Sequence, residues 1–355
     1  MVEYMARDGY YMAYACGTDL TAWRNADAAL AVAELNAMDW FIGASVTHTK
    51  PKTININPMT AGHYPKRVQT GRQRGKIAST HYLQTGILTY AVMGACSTAG
   101  AGDPYTKTIT KQTTETPENF AFHFEKEGTT DSRRKDCLGV VPRSIDISVS
   151  EIDPIAKQTY NAEFALTKAG GDLAQPTAFT QGNLPPLTWY NYKSSSGASD
   201  FTYNSGAIDV DIIDVDMHIG WSDALFGTYD ATGYPTNGLC VPPFVGSVDL
   251  GVRLTDAAGT ALDAISDLRA VVSSEGAAEY AGDIDFIADF YVGANDYLKY
   301  TWSDMYIDVE SYEEVFMEEG DWFDGIRFTL RFKDESSTLA VEEKSLLSKV
   351  YYEND

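Results

Sequence analysis

The run IDVDIIDVDMH at positions 208–218 restricts the possible folds more than any other stretch of the chain. Ile208, Val210 and Ile212 alternate with aspartates, the phase slips at Ile213, and the alternation resumes as Val215, Met217 and Ile219. A period of two puts one set of side chains in a core and the other in water, which is the mark of an antiparallel strand. A slip of one residue is what a β-bulge leaves in a sequence. The same period runs through Phe120, Phe122 and Phe124, through Ile145, Ile147 and Val149, and through Ile326, Phe328, Leu330 and Phe332. The expected fold is therefore mostly β.

Helical spacing is the exception. In HYLQTGILTYAVMGA, Leu83, Ile87 and Ala91 recur at steps of four, and in TALDAISDLRAVV so do Leu262, Ile265, Leu268 and Val272. These predict helices at about 82–95 and 259–272. An Ala-rich stretch within 18–41 predicts a third, capped by Asn25 or Asp27.

The elements then repeat in order. Strands at 75–80, 119–125, 143–150 and 159–166 with the first helix match strands at 247–254, 283–292, 303–310 and 326–332 with the second. PRSIDISVSE lines up with WSDMYIDVES, and EFALTKA with RFTLRFK. Two tandem β-sandwich or barrel-like domains are expected, each with one packed helix. The first spans 1–167 with an N-terminal arm and the second 207–333. Residues 168–206, rich in Gly, Pro, Ser and Asn, read as a linker, and 334–355 as an acidic tail.

Charge narrows the function. The net charge of -23 opposes binding to nucleic-acid phosphates or anionic membranes, and it fits a saline habitat, where screening is short-ranged. Yet from Trp40 to Gly102 there is no Asp or Glu, while Lys50, Lys52, Lys66, Arg67, Arg72, Arg74 and Lys76 fall there. The basic group Lys66, Arg67, Arg72, Arg74 and Lys76 suits an inter-subunit surface that meets an acidic surface on another copy, with an ordinary solvated face and a nucleic-acid contact as the alternatives. Cys16, Cys96, Cys137 and Cys240 have no paired spacing and are expected to be free thiols. No apolar run approaches the ~20 residues of a membrane span. The opening segment is not patterned as a secretory signal, so synthesis in the cytoplasm is expected.

Catalytic signatures are missing from the sequence. The five histidines lack ligand spacing, and there is no GxSxG, Walker or dinucleotide-binding pattern. No cofactor, metal site or enzymatic activity is expected. The aspartates Asp209, Asp211, Asp214 and Asp216 lie ~7 Å apart at alternate strand positions, which suits a solvated face better than a tight cation loop.

The early YYMAYACGTDLTAW, the basic strand leading to a helix that ends AVMGA, and PENFAFHFEKEGTTDSRRKDCLGVVPRSIDISVSE together resemble the long, two-domain tail tube proteins of tailed viruses. The likeness covers about residues 10–332 and lies in the type and order of elements. It implies a virion tail protein whose inner sheets join into a continuous barrel in stacked rings, a channel through which viral DNA passes without specific binding. Two domains per chain imply a pseudo-sixfold ring of three chains, with a hexamer as the other possibility, and contacts with other tail proteins. The resemblance offers two strips as lumen lining, Asp146 with Ser148 and Ser150, and Asp209 to Asp216. It offers the polar segments 98–118 and 126–137 for contacts between rings. The acidic composition points to a salt-adapted archaeal host. The rival readings are a β-sandwich binding or adhesin-like module, an enzyme with dispersed carboxylates, and a head–tail connector.

Overall fold

The alternating stretches become strands of one antiparallel network. The computed structural model describes residues 12–18, 31–37, 39–42, 45–49, 52–57, 67–73, 75–99, 105–114, 120–126, 133–169, 187–189, 201–203, 206–207, 211–227, 235–253, 284–293, 295–315 and 325–345. In chain order the strands are β1 (Met12–Thr18), β2 (Asp39–Ile42), β3 (Ser45–Thr49), β4 (Lys52–Asn57), β5 (Arg67–Gln73), β6 (Gly75–Tyr82), β7 (Gly94–Ala99), β8 (Tyr105–Lys111), β9 (Phe120–Lys126) and β10 (Arg133–Ser150). They continue as β11 (Lys157–Ala169), β12 (Thr188–Trp189), β13 (Phe201–Tyr203), β14 (Gly206–Ala207), β15 (Asp211–Phe226), β16 (Gly238–Arg253), β17 (Ile284–Gly293), β18 (Asp296–Val315), β19 (Gly325–Phe332) and β20 (Thr338–Ser345). The described helices are α1 (Val32–Ala37) and α2 (Ile87–Met93).

A ribbon of eight strands runs through the molecule in the order β3–β6–β11–β10–β15–β16–β19–β18. The order β3–β6–β11–β10 recurs as β15–β16–β19–β18. In both halves the long strand leaves the ribbon. The first part of β10 pairs with β9, which carries β1 and then β2. The first part of β18 pairs with β17 on one side and with β20 on the other, and β20 carries β8 and β7. Hairpin β4–β5 forms a separate two-stranded sheet.

This repeat does not divide the chain into two separate packing units. β15 of the second half pairs with β10 of the first, β20 pairs with β8, and one cluster of buried side chains runs from Phe41 to Val341. Two segments take part in the sheet where the sequence suggested otherwise. The expected tail contributes β20, with Leu339, Val341 and Glu343 turned inward. The expected linker contributes β12 and β13, which pair with β17.

Helix α2 lies in the middle of this core, touching β10 and β15 of the ribbon and β7 and β8 beyond it. All seven of its residues are buried, which explains why ILTYAVM has no polar face. Trp221 Nε1 donates to Val92 O at 2.8 Å, and the Thr89 and Tyr300 hydroxyls are hydrogen-bonded at 2.8 Å. The helix is shorter than its periodicity predicts. β6 runs to Tyr82 against β11, and Gly94, at φ 88°, ends the helix in the left-handed region. Of the other expected helices, α1 occupies part of 18–41, while Asn25, Asp27 and 259–272 lie outside the described residues.

At the end of β6, His81 is buried with its ring centroid 4.1 Å from that of Phe41. Burial pushes its pKa down to about 4 from 6.5. The folded state therefore holds a neutral ring where the unfolded chain would take up a proton. Stability is full above pH 6.5 and falls as pH drops toward 4, by about 1.4 kcal/mol per pH unit and about 3 kcal/mol in all. Urea unfolding at pH 7 and pH 4.5 should show this loss in the natural chain. His81→Gln should lack that part of it, and an identical pH slope in both chains would refute the assignment.

Candidate functional surface

The outward face of the ribbon is the surface that the sequence pointed to, and the β10–β15 ladder decides its composition. That ladder sets Asp146 opposite His218, Ser148 opposite Asp216, and Ser150 opposite Asp214. The two candidate strips, assigned from sequence to different domains, are thus one contiguous patch. The phase slip at Ile213 is a register shift between Ile212 and Asp214 on the β15–β16 ladder, as a bulge requires. Asp209 lies outside the described residues, and Asp211 is placed only by its backbone, opposite Arg253.

The patch is not uniformly acidic. Arg327 Nη2 donates to Asp214 Oδ2 at 2.6 Å, and Arg331 Nε to Asp308 Oδ2 at 2.7 Å. His218 Nδ1 and Asp146 Oδ1 are hydrogen-bonded at 2.5 Å across the junction of the two halves. The Thr329 hydroxyl donates to Asp249, and Lys76 Nζ lies 3.7 Å from Glu163 Oε1. Asp216 is the crowded member. Exposed yet facing Asp214, Asp249 and Asp146, it is held above the usual carboxylate range by partial desolvation first and by those charges second.

Sequence reasoning missed Arg327, Arg331, Asp249 and Asp308. The alternation Arg327–Thr329–Arg331 was visible, but nothing local says which strand lies beside it. Of the basic group, Lys76 is on this face, Arg67 and Arg72 are on β5, and Lys66 and Arg74 lie outside the described residues. Segment 98–118 is in part internal: β8 is paired on both sides, and its Lys107 and Ile109 are fully buried. Among the described cysteines, Cys137 and Cys240 are buried free thiols. Cys96 is also free, and burial followed by the Glu343 charge pushes its thiol up to about 12.

The ends of the ribbon differ from its middle. Among the described residues, β3 is hydrogen-bonded on one side, to β6. Among the described residues, the second part of β18 (305–315) is paired with β19, and its other side has only the Met305–Ile284 contact with β17. The matching part of β10 is flanked on both sides, by β11 and β15.

Among the described residues, no three His, Cys, Asp or Glu side chains are grouped to hold a metal ion, and no helix is long and apolar enough to cross a membrane. No known protein-family model matches the chain, and no curated protein sequence matches it.

Proposed function

We propose that this chain is a self-assembling structural subunit of a viral tail tube, in which three copies join their ribbons edge to edge into a pseudo-sixfold ring. The observation that supports this is the unequal treatment of two equivalent junctions. Inside the chain, the leading strand of the second half, β15, pairs with the second part of β10. Among the described residues, the leading strand of the first half, β3, and the second part of β18 have no strand on their corresponding edges. A neighbouring copy whose β3 docks on β18 would reproduce the internal junction between chains. Such a head-to-tail contact closes by rotation, and closure removes the exposed edges that otherwise invite aggregation.

Charge supports the same pairing. β3 belongs to the 40–102 stretch that has no carboxylate and is followed by Lys50 and Lys52, whereas the open part of β18 carries Asp308, Glu310, Glu313 and Glu314. Opposite charges on the two edges favour heterologous over like-with-like contact. With its outward face turned to the channel, the ring would offer passing DNA few unpaired cations, and phosphate binding depends on those. The β4–β5 hairpin, which lies between β3 and β6 in the chain and carries Arg67 and Arg72, would offer a contact for further copies.

Cross-linking tests the junction. Thr47→Cys combined with Glu310→Cys and a short bis-maleimide linker should yield chain-to-chain adducts ending at a closed trimer, with rings or tubes visible by negative stain. Each single variant controls for the natural thiols. Monomers at every salt concentration, without inter-chain adducts, would exclude the ring.

A further inference from the structure

We infer that a concavity on the outward face, where β10 leaves the ribbon, is a binding site for a phosphate-class oxyanion. This inference stands apart from the tube reading, because it concerns one chain and needs no assembly. The concavity has a volume of about 480 Å3 and is lined by Lys76, Arg143, Asn161, His218, Trp221 and Ser222, among others.

Two bulges build it. The β10–β11 register shifts between Pro142 and Ser144, and the β15–β16 register shifts between Trp221 and Asp223. Arg143 is the extra residue on β10, while on the second ladder Pro242 and Pro243 of β16 face the single Ser222 of β15, and Arg143 and Ser222 both open onto the same space. Bulges re-aim side chains in this way and recur beside binding sites. The strands can carry them side by side because Gly220 lets the backbones approach. A Cβ there would lie 2.7 Å from Ser144 Cβ and 2.8 Å from Arg143 O.

The chemistry favours an anion. Elsewhere on this face two described arginines are consumed, Arg327 by Asp214 and Arg331 by Asp308. Arg143 is exposed and forms no ion pair with a described residue. Its planar fork of five N–H donors matches a tetrahedral oxyanion. Lys76 adds a second positive charge to the lining, shared with Glu163, which lines it too. Ser222 Oγ donates to the Val241 and Pro242 carbonyls, which leaves its oxygen as an acceptor for a protonated ligand oxygen. Ile77, Ala162 and Val245 add apolar lining, and a less polar surround strengthens each charge contact.

Titrating the full chain with inorganic phosphate at low ionic strength, followed by calorimetry and tryptophan emission, should show one saturable site per chain. Arg143→Ala should weaken it at least tenfold, Arg143→Lys less, and Glu163→Gln, which frees Lys76, should tighten it several-fold. Unchanged melting transitions would show that these surface variants fold. A short oligothymidylate separates the sources: competition with phosphate means that the site accepts the diesters of a nucleic-acid backbone, and its absence means that it takes free phosphate or monoesters. No saturable binding, or binding indifferent to both Arg143→Ala and Glu163→Gln, would overturn the inference. Because rings are scored separately by microscopy, either proposal can fail without the other.

Discussion

A chain ended at Lys333 will not show a cooperative unfolding transition. The deletion removes β20, which lies between β18 and β8 with ladders on both sides. On the core side it takes away Leu339 and Val341 and strips cover from the neighbouring strands, where Leu298, Tyr300, Trp302 and Ile109 are fully buried. It also leaves Lys107, buried in β8 with Glu343 4.0 Å away, without that carboxylate. Removing one partner of a buried ion pair costs about 3–5 kcal/mol by itself. Adding the exposed apolar surface exhausts the whole stability of an ordinary domain, roughly 5–15 kcal/mol. Calorimetry of the 1–333 chain should show a broad, weak signal with strong dye binding. A sharp transition near that of the full chain would mean that β20 is dispensable.

Gly220→Val carries the next largest effect, because the crowding there involves main chain. The nearest atoms to a new side chain are Ser144 Cβ, Arg143 O and Ser144 Cα at 2.7, 2.8 and 3.1 Å, and none can rotate away. β10 and β15 must separate at the one place where the two halves of the ribbon meet. That disturbs the His218–Asp146 hydrogen bond one step further along. A destabilisation of about 3 kcal/mol is expected. Gly227→Ala is the informative contrast. Its Cβ would fall 2.1 Å from Asn237 Oδ1, but that is a side-chain terminus able to swing aside, so the cost should stay below about 1 kcal/mol. Equal losses in the two variants, measured by urea unfolding, would contradict this account.

Which parts of this architecture the sequence reveals follows from the range of the interactions involved. Alternation is set by the local backbone, so β9, β10, β15 and β19 are legible, and so is the bulge after Ile212. β20 is not, because its inward positions, Leu339, Val341 and Glu343, end in a charge whose neighbour, Lys107, lies far off in the sequence. The helix around Leu88 was overextended because a buried helix and a buried strand share an apolar run, and the break falls at Gly94. On the candidate surface, the aspartates were visible but the arginines that neutralise them were not. Arg327 sits more than a hundred residues from Asp214, and no local pattern reports such a pairing. The bulges at Arg143 and opposite Ser222 were silent for a simpler reason. Neither interrupts a clean alternation of apolar residues.

The pairing of β8 with β20 also sets a timetable for synthesis. Lys111 emerges from the ribosome long before Thr338, and at typical elongation rates the gap is on the order of ten to fifty seconds. Throughout that time one edge of β8 has no strand to meet. Its sequence, YTKTITK, places lysines at Lys107 and Lys111 beside a single isoleucine, and charged edges resist pairing with other chains. Lys107 therefore acts twice, guarding an open edge on the nascent chain and lying beside Glu343 once the last strand arrives.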